Sequence, residues 1–276
     1  MGPTHHRLQH RPGLRSPGHG RDDPRPLGLP RRILDGGGLP ACVRHPYTLH
    51  SNHEPACHRN SIVNQHIIDI THPIHAGSTR VWPGDNVPNR EFLMRIENGD
   101  SVTLSTLHST VHLGTHADGP CHYDAEGQGV GEMDLNHYIG PCRVVRVEVE
   151  PGSRVTIEDL GDTPLDAARI IIDTGTFRFK HFNEDFAGLS PELIDHLADH
   201  DVVTVGLDSP SVDLLNDRHI VAHGRCNARS IAILETLRLT DVDPGRYQLC
   251  AQPLKLVDFD GSPVRAVLLP ESKSSH

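Results

Sequence analysis

Short apolar segments recur along the chain from residue 66 onward. Each segment is rich in β-branched residues and is bounded by glycine, proline or aspartate, a pattern typical of β-strands. The predicted strands are HIIDIT (66–71), VTLSTL (102–107), CRVVRVEVE (142–150), RIIID (169–173), VVTVGLD (202–208), YQLCAQPLKL (247–256) and VRAVLL (264–269).

Helical signals lie between some of these strands. Ser190 precedes Pro191, which is the pairing expected of an N-cap and the first helical position. The apolar residues that follow share one helix face: Leu193, Ile194 and Leu197. A second helix is predicted over ARSIAILETL (228–237). Alternation of strands and helices predicts an α/β fold.

The composition changes near residue 65. Residues 1–65 are rich in Pro, Gly, Arg and His, have no sustained periodicity, and contain Tyr47 as their only aromatic residue. Such a segment buries too little apolar surface to offset its ordering entropy, so we interpret it as disordered or as an over-called start of the reading frame. A mitochondrial transit peptide is the alternative, which the many prolines oppose. Residues 66–272 are predicted to form one compact domain.

The charge distribution excludes several classes of protein. The net charge of −10 divides into +5 for residues 1–65 and −15 for the remainder. That acidic remainder argues against a nucleic-acid partner.

No run of eighteen apolar residues exists, so no membrane span is predicted. Six cysteines without a CxxC pair, together with the lack of a signal-peptide core, predict a cytoplasmic protein.

The stretch HLGTHADGPCH (112–122) contains the first candidate functional residues. It contains four polar residues of the same parity: His112, His116, Asp118 and His122. Gly114 and Pro120 oppose a helix, whereas an extended segment directs all four side chains to one side. We therefore expect these four groups to converge.

Imidazole nitrogen and carboxylate oxygen suit zinc or a neighbouring first-row metal. His112, His116 and Asp118 fill three coordination positions and leave one for water, as in catalytic zinc sites. A structural site is disfavoured because such sites use four protein ligands, usually including cysteine, and Cys121 has the opposite parity. A serine hydrolase is disfavoured because no GxSxG motif occurs.

The same stretch resembles the HxGTHxDxPxH signature of the metal-dependent cyclase family, which includes bacterial kynurenine formamidases and isatin hydrolases. Four further blocks resemble the kynurenine formamidase branch in matching order: RVWPGD (80–85), GPCRVV (140–145), VGLDSPSVD (205–213) and PLKL…SPVRAVL (253–268). The resemblance extends through most of residues 66–269 and has no counterpart in residues 1–65.

The resemblance implies a single domain of the swivelling β/β/α type, with a mixed, partly barrel-like sheet, flanking helices and a homodimeric assembly. It also implies two zinc ions with Asp118 bridging between them. His112 and His116 match the other ligands of the first ion, and His223 and Glu235 match those of the second. Without the resemblance, Glu235 reads as a solvated helix residue. The remaining matches are His122, the proton donor and acceptor, and Trp82, an aromatic wall of the substrate pocket.

The implied activity is zinc-dependent hydrolysis of a small molecule, N-formyl-L-kynurenine, to L-kynurenine and formate, a step of tryptophan degradation. A related amide or lactam hydrolase, such as an isatin hydrolase, shares every ligand and is the first alternative. A non-catalytic metal-binding domain is the second.

Overall fold

A curled nine-stranded sheet organises residues 66–271, the part of the chain that this computed structural model describes. The interpretation of residues 1–65 as disordered or over-called lies outside the described residues. The described strands, in chain order, are β1 (Ile68–Asp69), β2 (Asn89–Met94), β3 (Leu104–His108), β4 (His116–Asp118), β5 (Ile139–Arg146), β6 (Arg154–Val155), β7 (Arg169–Asp173), β8 (Gly188–Leu189), β9 (Thr204–Leu207), β10 (Ala232–Glu235), β11 (Gly245–Cys250), β12 (Gly261–Pro263) and β13 (Val267–Pro270). Two α-helices accompany them, α1 (Pro191–Ala198) and α2 (Val221–Ala228).

The main sheet is mixed, and its strand order is β1-β13-β11-β5-β7-β9-β10-β4-β12. The four central strands β5, β7, β9 and β10 are parallel to one another. The strands at either end pair in the antiparallel sense. Strands β2 and β3 form a separate hairpin, and β6 pairs with β8. The predicted α/β domain with a partly barrel-like mixed sheet and flanking helices is confirmed.

Both faces of the central strands are buried, as expected for parallel strands. In β7, Ile170 and Ile172 pack into a cluster that includes the apolar face of α1. The intervening Ile171 points to the opposite face and packs into a second cluster with Leu234 and Leu249. Strand alternation therefore divides the hydrophobic core into two layers, one on each side of the sheet.

The seven predicted strands all correspond to strands of the structure: β1, β3, β5, β7, β9, β11 and β13. Helix α1 is also confirmed, and its apolar stripe is fully buried. The structure describes no helix between residues 66 and 271 that is long and apolar enough to cross a membrane.

The predicted helix over 228–237 is wrong. Helix α2 ends at Ala228, and Ala232–Glu235 forms β10 between β9 and β4. Ile231, Ile233 and Leu234 are buried because both faces of β10 are covered. A short apolar run that is buried on both faces lacks the alternation of a half-exposed strand, so its periodicity resembles that of a buried helix.

The start of α1 gives a stability prediction. The Ser190 hydroxyl accepts a hydrogen bond from the Leu193 amide at 3.1 Å, as an N-cap should. We expect Ser190→Ala to lower the free energy of unfolding by about 1 kcal/mol, because a buried amide loses its partner. Urea unfolding followed by circular dichroism measures this. Ser190→Thr keeps the hydroxyl and serves as the control; equal stabilities of all three proteins would contradict the capping role.

Candidate metal centre

Three elements bring the candidate ligands together. Strand β4 carries His116 and Asp118, and β10 pairs with it so that Glu235 lies directly opposite His116. Helix α2 contributes His223 from its first turn. His112 lies just before β4, and its ring is close to Gly261 of β12. The fold thus places residues that are far apart in sequence around one carboxylate, Asp118.

The contacts around Asp118 are short. Its Oδ1 lies 3.0 Å from His112 Nδ1 and 3.3 Å from His116 Nε2, whereas its Oδ2 lies 3.4 Å from His223 Nε2. Glu235 approaches two of the same nitrogens, with Oε2 3.4 Å from His116 Nε2 and Oε1 3.6 Å from His223 Nε2. Nevertheless, neither buried Asp118 oxygen has an aligned hydrogen-bond donor among residues 66–271. The carboxylate is surrounded by ligand atoms and left without a hydrogen bond.

The opposite nitrogen of each of these three histidines is held by an oxygen. His112 Nε2 donates to Asp260 Oδ2 at 3.0 Å, His116 Nδ1 to the Gly114 carbonyl at 2.7 Å, and His223 Nδ1 to Asp213 Oδ2 at 2.8 Å. In the neutral imidazole such bonds fix the tautomer, so that the nitrogen facing Asp118 carries the lone pair that binds a metal.

The ligand atoms form two groups that share Asp118. One group is His112, His116 and Asp118, and the other is Asp118, His223 and Glu235; within each group the ligand atoms lie within 4.8 Å of one another. Each carboxylate oxygen of Asp118 faces a different group. Unpaired buried carboxylate oxygens surrounded by imidazole nitrogens fit a divalent metal ion of the zinc type.

The electrostatics of the cluster favour added positive charge. Burial opposes protonation of His116, yet the neighbouring Asp118 and Glu235 carboxylates raise its pKa to about 10. Burial likewise opposes protonation of His223, and Asp118 and Asp213 raise its pKa to about 10. The same histidines hold the pKa of the Asp118 carboxyl well below its usual range, against the effect of burial. A divalent cation supplies the charge that these carboxylates require and displaces the protons.

His122 lies at the edge of this cluster. Its ring centroid is 4.1 Å from that of His112 and 6.0 Å from that of His223, and 40% of its side chain is exposed. Burial lowers its pKa below the usual value. A third group of potential ligand atoms contains His112, His122 and Asp260, so the geometry is compatible with either an acid–base role or a ligand role for His122.

Trp82 lines the cavity that contains the candidate ligands, which has a volume of about 370 Å³. Its ring packs edge-on against Phe182 and Phe186, with centroid distances of 5.9 and 6.0 Å. Phe177 and Phe179 line the same cavity. One side of this cavity is therefore aromatic; the role in substrate binding that the resemblance implies for Trp82 stays a prediction.

The polar side chains of HLGTHADGPCH converge as predicted, but the backbone that brings them together differs from the expected one. Only His116–Asp118 is a strand. Gly114 adopts a left-handed φ of 59°, and Pro120–His122 forms a 3₁₀ turn. The expectation of one continuous extended segment is wrong, because two turns fold His112 and His122 toward the strand.

Two polar residues of the site escaped the sequence analysis. Asp213 belongs to the VGLDSPSVD block, but no local pattern indicates that it contacts His223. Asp260 stands in a turn before β12 and reaches His112 only because β12 pairs with β4. Glu235 was expected on a helix and lies on β10.

Comparisons with known proteins find a matching family and several similar structures. Residues 68–214, more than half of the chain, match the family model named Cyclase, whose description is "Putative cyclase". A structure described as a potential metal-dependent hydrolase with cyclase activity is 26% identical, covers 75% of this chain and 99% of its own, and has a TM-score of 0.65. A predicted metal-dependent hydrolase from Bacillus stearothermophilus is 29% identical over 74% of this chain and 98% of its own, with a TM-score of 0.62. Isatin hydrolase A from Labrenzia aggregata shares the fold at 22% identity, with a TM-score of 0.64, over 75% of this chain and 94% of its own.

The shared carboxylate gives a prediction about metal content. Asp118→Ala should reduce bound zinc more than Glu235→Ala does, because Asp118 belongs to both ligand groups and Glu235 to one. Metal analysis of the purified proteins, with circular dichroism to confirm folding, measures the difference. Glu126→Ala, an exposed carboxylate outside the cluster, is the control. Equal metal contents for Asp118→Ala and Glu235→Ala would argue against a shared ligand.

Proposed function

Since this chain belongs to the Cyclase family, we propose that it is a metal-dependent hydrolase that cleaves the formamide of N-formyl-L-kynurenine to L-kynurenine and formate. The observation that carries the proposal is the pair of ligand groups sharing Asp118, with His122 and an aromatic wall beside them. The predicted cytoplasmic location and homodimeric assembly are part of the same proposal.

Two zinc ions fit the ligand groups. His112, His116 and Asp118 would hold one ion, and Asp118, His223 and Glu235 the other. Zinc at such a site supplies a Lewis acid and lowers the pKa of water toward about 7. Hydrogen bonds hold the ligand side chains in position. The Val212 amide donates to Glu235 Oε1 at 2.8 Å, and each histidine ligand is oriented by the oxygen that accepts from its other ring nitrogen.

His122 is the proposed acid–base group. Its lowered pKa keeps the imidazole neutral near neutral pH, so it can accept a proton from the attacking water. The protonated ring can then return that proton to the leaving nitrogen. Asp260 Oδ2 lies 3.8 Å from His122 Nδ1, close enough to favour the protonated ring between the two transfers.

The aromatic wall suits an aryl amide. Trp82, Phe177, Phe179 and Phe182 line the cavity of about 370 Å³ beside the ligands. Aromatic rings pack favourably edge-to-face or offset on such a wall. An aryl nitrogen is also an easier leaving group than an alkyl nitrogen, because its lone pair is delocalised into the ring.

The main alternative is a lactam hydrolase. The proteins named isatin hydrolase have the same fold, and the proposed ligand set would serve isatin as well. The sequence blocks that resemble the kynurenine formamidase branch favour the formamide. A non-catalytic metal site is less consistent with the geometry, because His122 and the cavity lie open beside the ligands.

Turnover of the two substrates tests the proposal directly. Purified full-length protein supplied with Zn²⁺ should hydrolyse N-formyl-L-kynurenine faster than isatin, as measured by absorbance. A chelator should abolish the activity, and added Zn²⁺ should restore it. Faster turnover of isatin would support the lactam hydrolase instead, and lack of turnover of both substrates would exclude both assignments.

A second test separates proton transfer from metal binding. His122→Ala should retain its zinc and fold while turnover falls about 10²- to 10⁴-fold, the range for a positioned acid–base group. His116→Ala should lose zinc together with activity, because a ligand is missing. Metal analysis beside the kinetics decides. Equal zinc loss in the two variants would make His122 a ligand and move the acid–base role elsewhere.

A further inference from the structure

A second cavity adjoins the one that contains the candidate ligands. It has a volume of about 950 Å³, and the two cavities share three lining residues: Arg80, Phe177 and Phe179. A molecule seated at this junction can reach both the metal ligands and the second cavity. We call the second cavity the outer cavity and the one that contains the ligands the inner cavity.

The outer cavity is positively charged in an acidic protein. Five of its lining residues are arginine or lysine and two are aspartate, whereas the whole chain has 26 Lys+Arg and 36 Asp+Glu. Burial, reinforced by the positive charge of Arg238, lowers the pKa of the lining residue His72 to about 4. A concave surface that concentrates one sign of charge attracts ligands of the opposite sign.

The two aspartates of the outer cavity do not neutralise it. Asp173 pairs with Arg146 at 2.8 Å. Both Asp208 oxygens accept backbone hydrogen bonds, from Thr174 and Gly175 at 2.9 Å each. Asp173 and Asp208 are the acidic residues that line the outer cavity, and both already have these partners. The remaining arginine and lysine side chains of the cavity therefore have no carboxylate partner among its lining residues.

One of the unpaired cations, Arg80, lies at the junction of the two cavities. Among residues 66–271, neither Arg80 nor Lys180 has a side-chain hydrogen bond or ion pair, and Arg178 donates only to backbone carbonyls. Arg80 is also the one arginine or lysine of the described chain that lines the inner cavity. An unpaired guanidinium therefore stands at the mouth of the proposed catalytic site.

We propose that Arg80 binds a carboxylate of the substrate, so that the enzyme selects aryl amides that carry an acidic group at the end remote from the scissile bond. This inference rests on the proposed function and specifies its substrate class. Guanidinium binds carboxylate through two parallel hydrogen bonds, which fixes orientation as well as affinity. Lys180 and Arg178 line the outer cavity and add to its positive charge.

The arrangement of the junction fits such a substrate. Phe177 and Phe179 line both cavities, as Arg80 does, so the three side chains meet at the junction. An aromatic ring held against these side chains would place its amide in the inner cavity and its carboxylate at Arg80. Isatin is uncharged and has no group for Arg80, so the geometry favours an amino-acid substrate over a neutral lactam.

The kinetic test compares N-formyl-L-kynurenine with its methyl ester, in which an uncharged ester replaces the carboxylate. Arg80→Gln should raise KM for the acid about 10- to 100-fold with little change in kcat, and leave KM for the ester unchanged. Arg80→Lys should retain part of the affinity for the acid because it keeps the charge. Arg90→Gln, an exposed arginine that lines neither cavity, is the matched control and should behave as wild type. Equal changes for acid and ester, or no change for the acid, would overturn the proposal.

A binding measurement decides the inference even when turnover is absent. Trp82 is the only tryptophan and lines the inner cavity, so quenching of its fluorescence reports occupancy. The zinc-loaded full-length protein should bind L-kynurenine more tightly than L-kynurenine methyl ester, and Arg80→Gln should remove that preference. If wild type binds acid and ester equally, Arg80 is not a carboxylate anchor. If the preference is present but neither amide is hydrolysed, the anchor stands and the proposed reaction fails.

Discussion

The burial of the Asp118 carboxylate is the constraint on which the rest of the site depends. An ionised carboxylate without hydrogen bonds in a protein interior costs several kcal/mol unless positive charge compensates it. Both Asp118 oxygens are buried and lack a donor among residues 66–271, while imidazole nitrogens surround them. The cluster therefore requires compensating positive charge, which protonated imidazoles or a divalent cation would supply. A metal site would explain why β4, which pairs in the antiparallel sense with β10 and β12, carries a buried carboxylate.

The backbone is shaped to keep that carboxylate enclosed. A Cβ at Gly261 would lie 2.9 Å from His112 Cε1, and a Cβ at Gly119 would lie 2.6 Å from the Val130 amide nitrogen. Only glycine allows the neighbouring segments to approach Asp118 this closely. Asp213 fixes the start of helix α2. It accepts hydrogen bonds from the backbone amides of Ala222 and His223 and forms an ion pair with Arg154 at 2.9 Å. The first turn of α2, and hence His223, is fixed by this one carboxylate.

How far the sequence predicts the structure depends on the range of the interactions involved. Helix α1 was predictable because Ser190, Pro191 and the apolar stripe act within two turns. The convergence of the polar side chains of HLGTHADGPCH was predictable from residue types and parity. Its turns were not, because strand parity takes no account of the left-handed Gly114. Residues 232–235 were misassigned because burial on both faces erases alternation. His223 and Glu235 were found only through family resemblance, and Asp260 by neither route, because its contact depends on the register between β12 and β4.

The charge pattern of the two cavities bears on how a substrate would be oriented. An amino-acid amide of the proposed class carries an amide at one end and a carboxylate at the other, and the carboxylate is the better metal ligand. Without a second anchor, the ligand cluster would also admit a reversed orientation, in which the carboxylate lies at the cluster and the amide points away. The Arg80 guanidinium, at the junction of the two cavities, would compete for the carboxylate and leave the amide to the ligand cluster. In this arrangement the affinity of Arg80 for the carboxylate would be realised in the productive binding mode, with the amide at the ligand cluster.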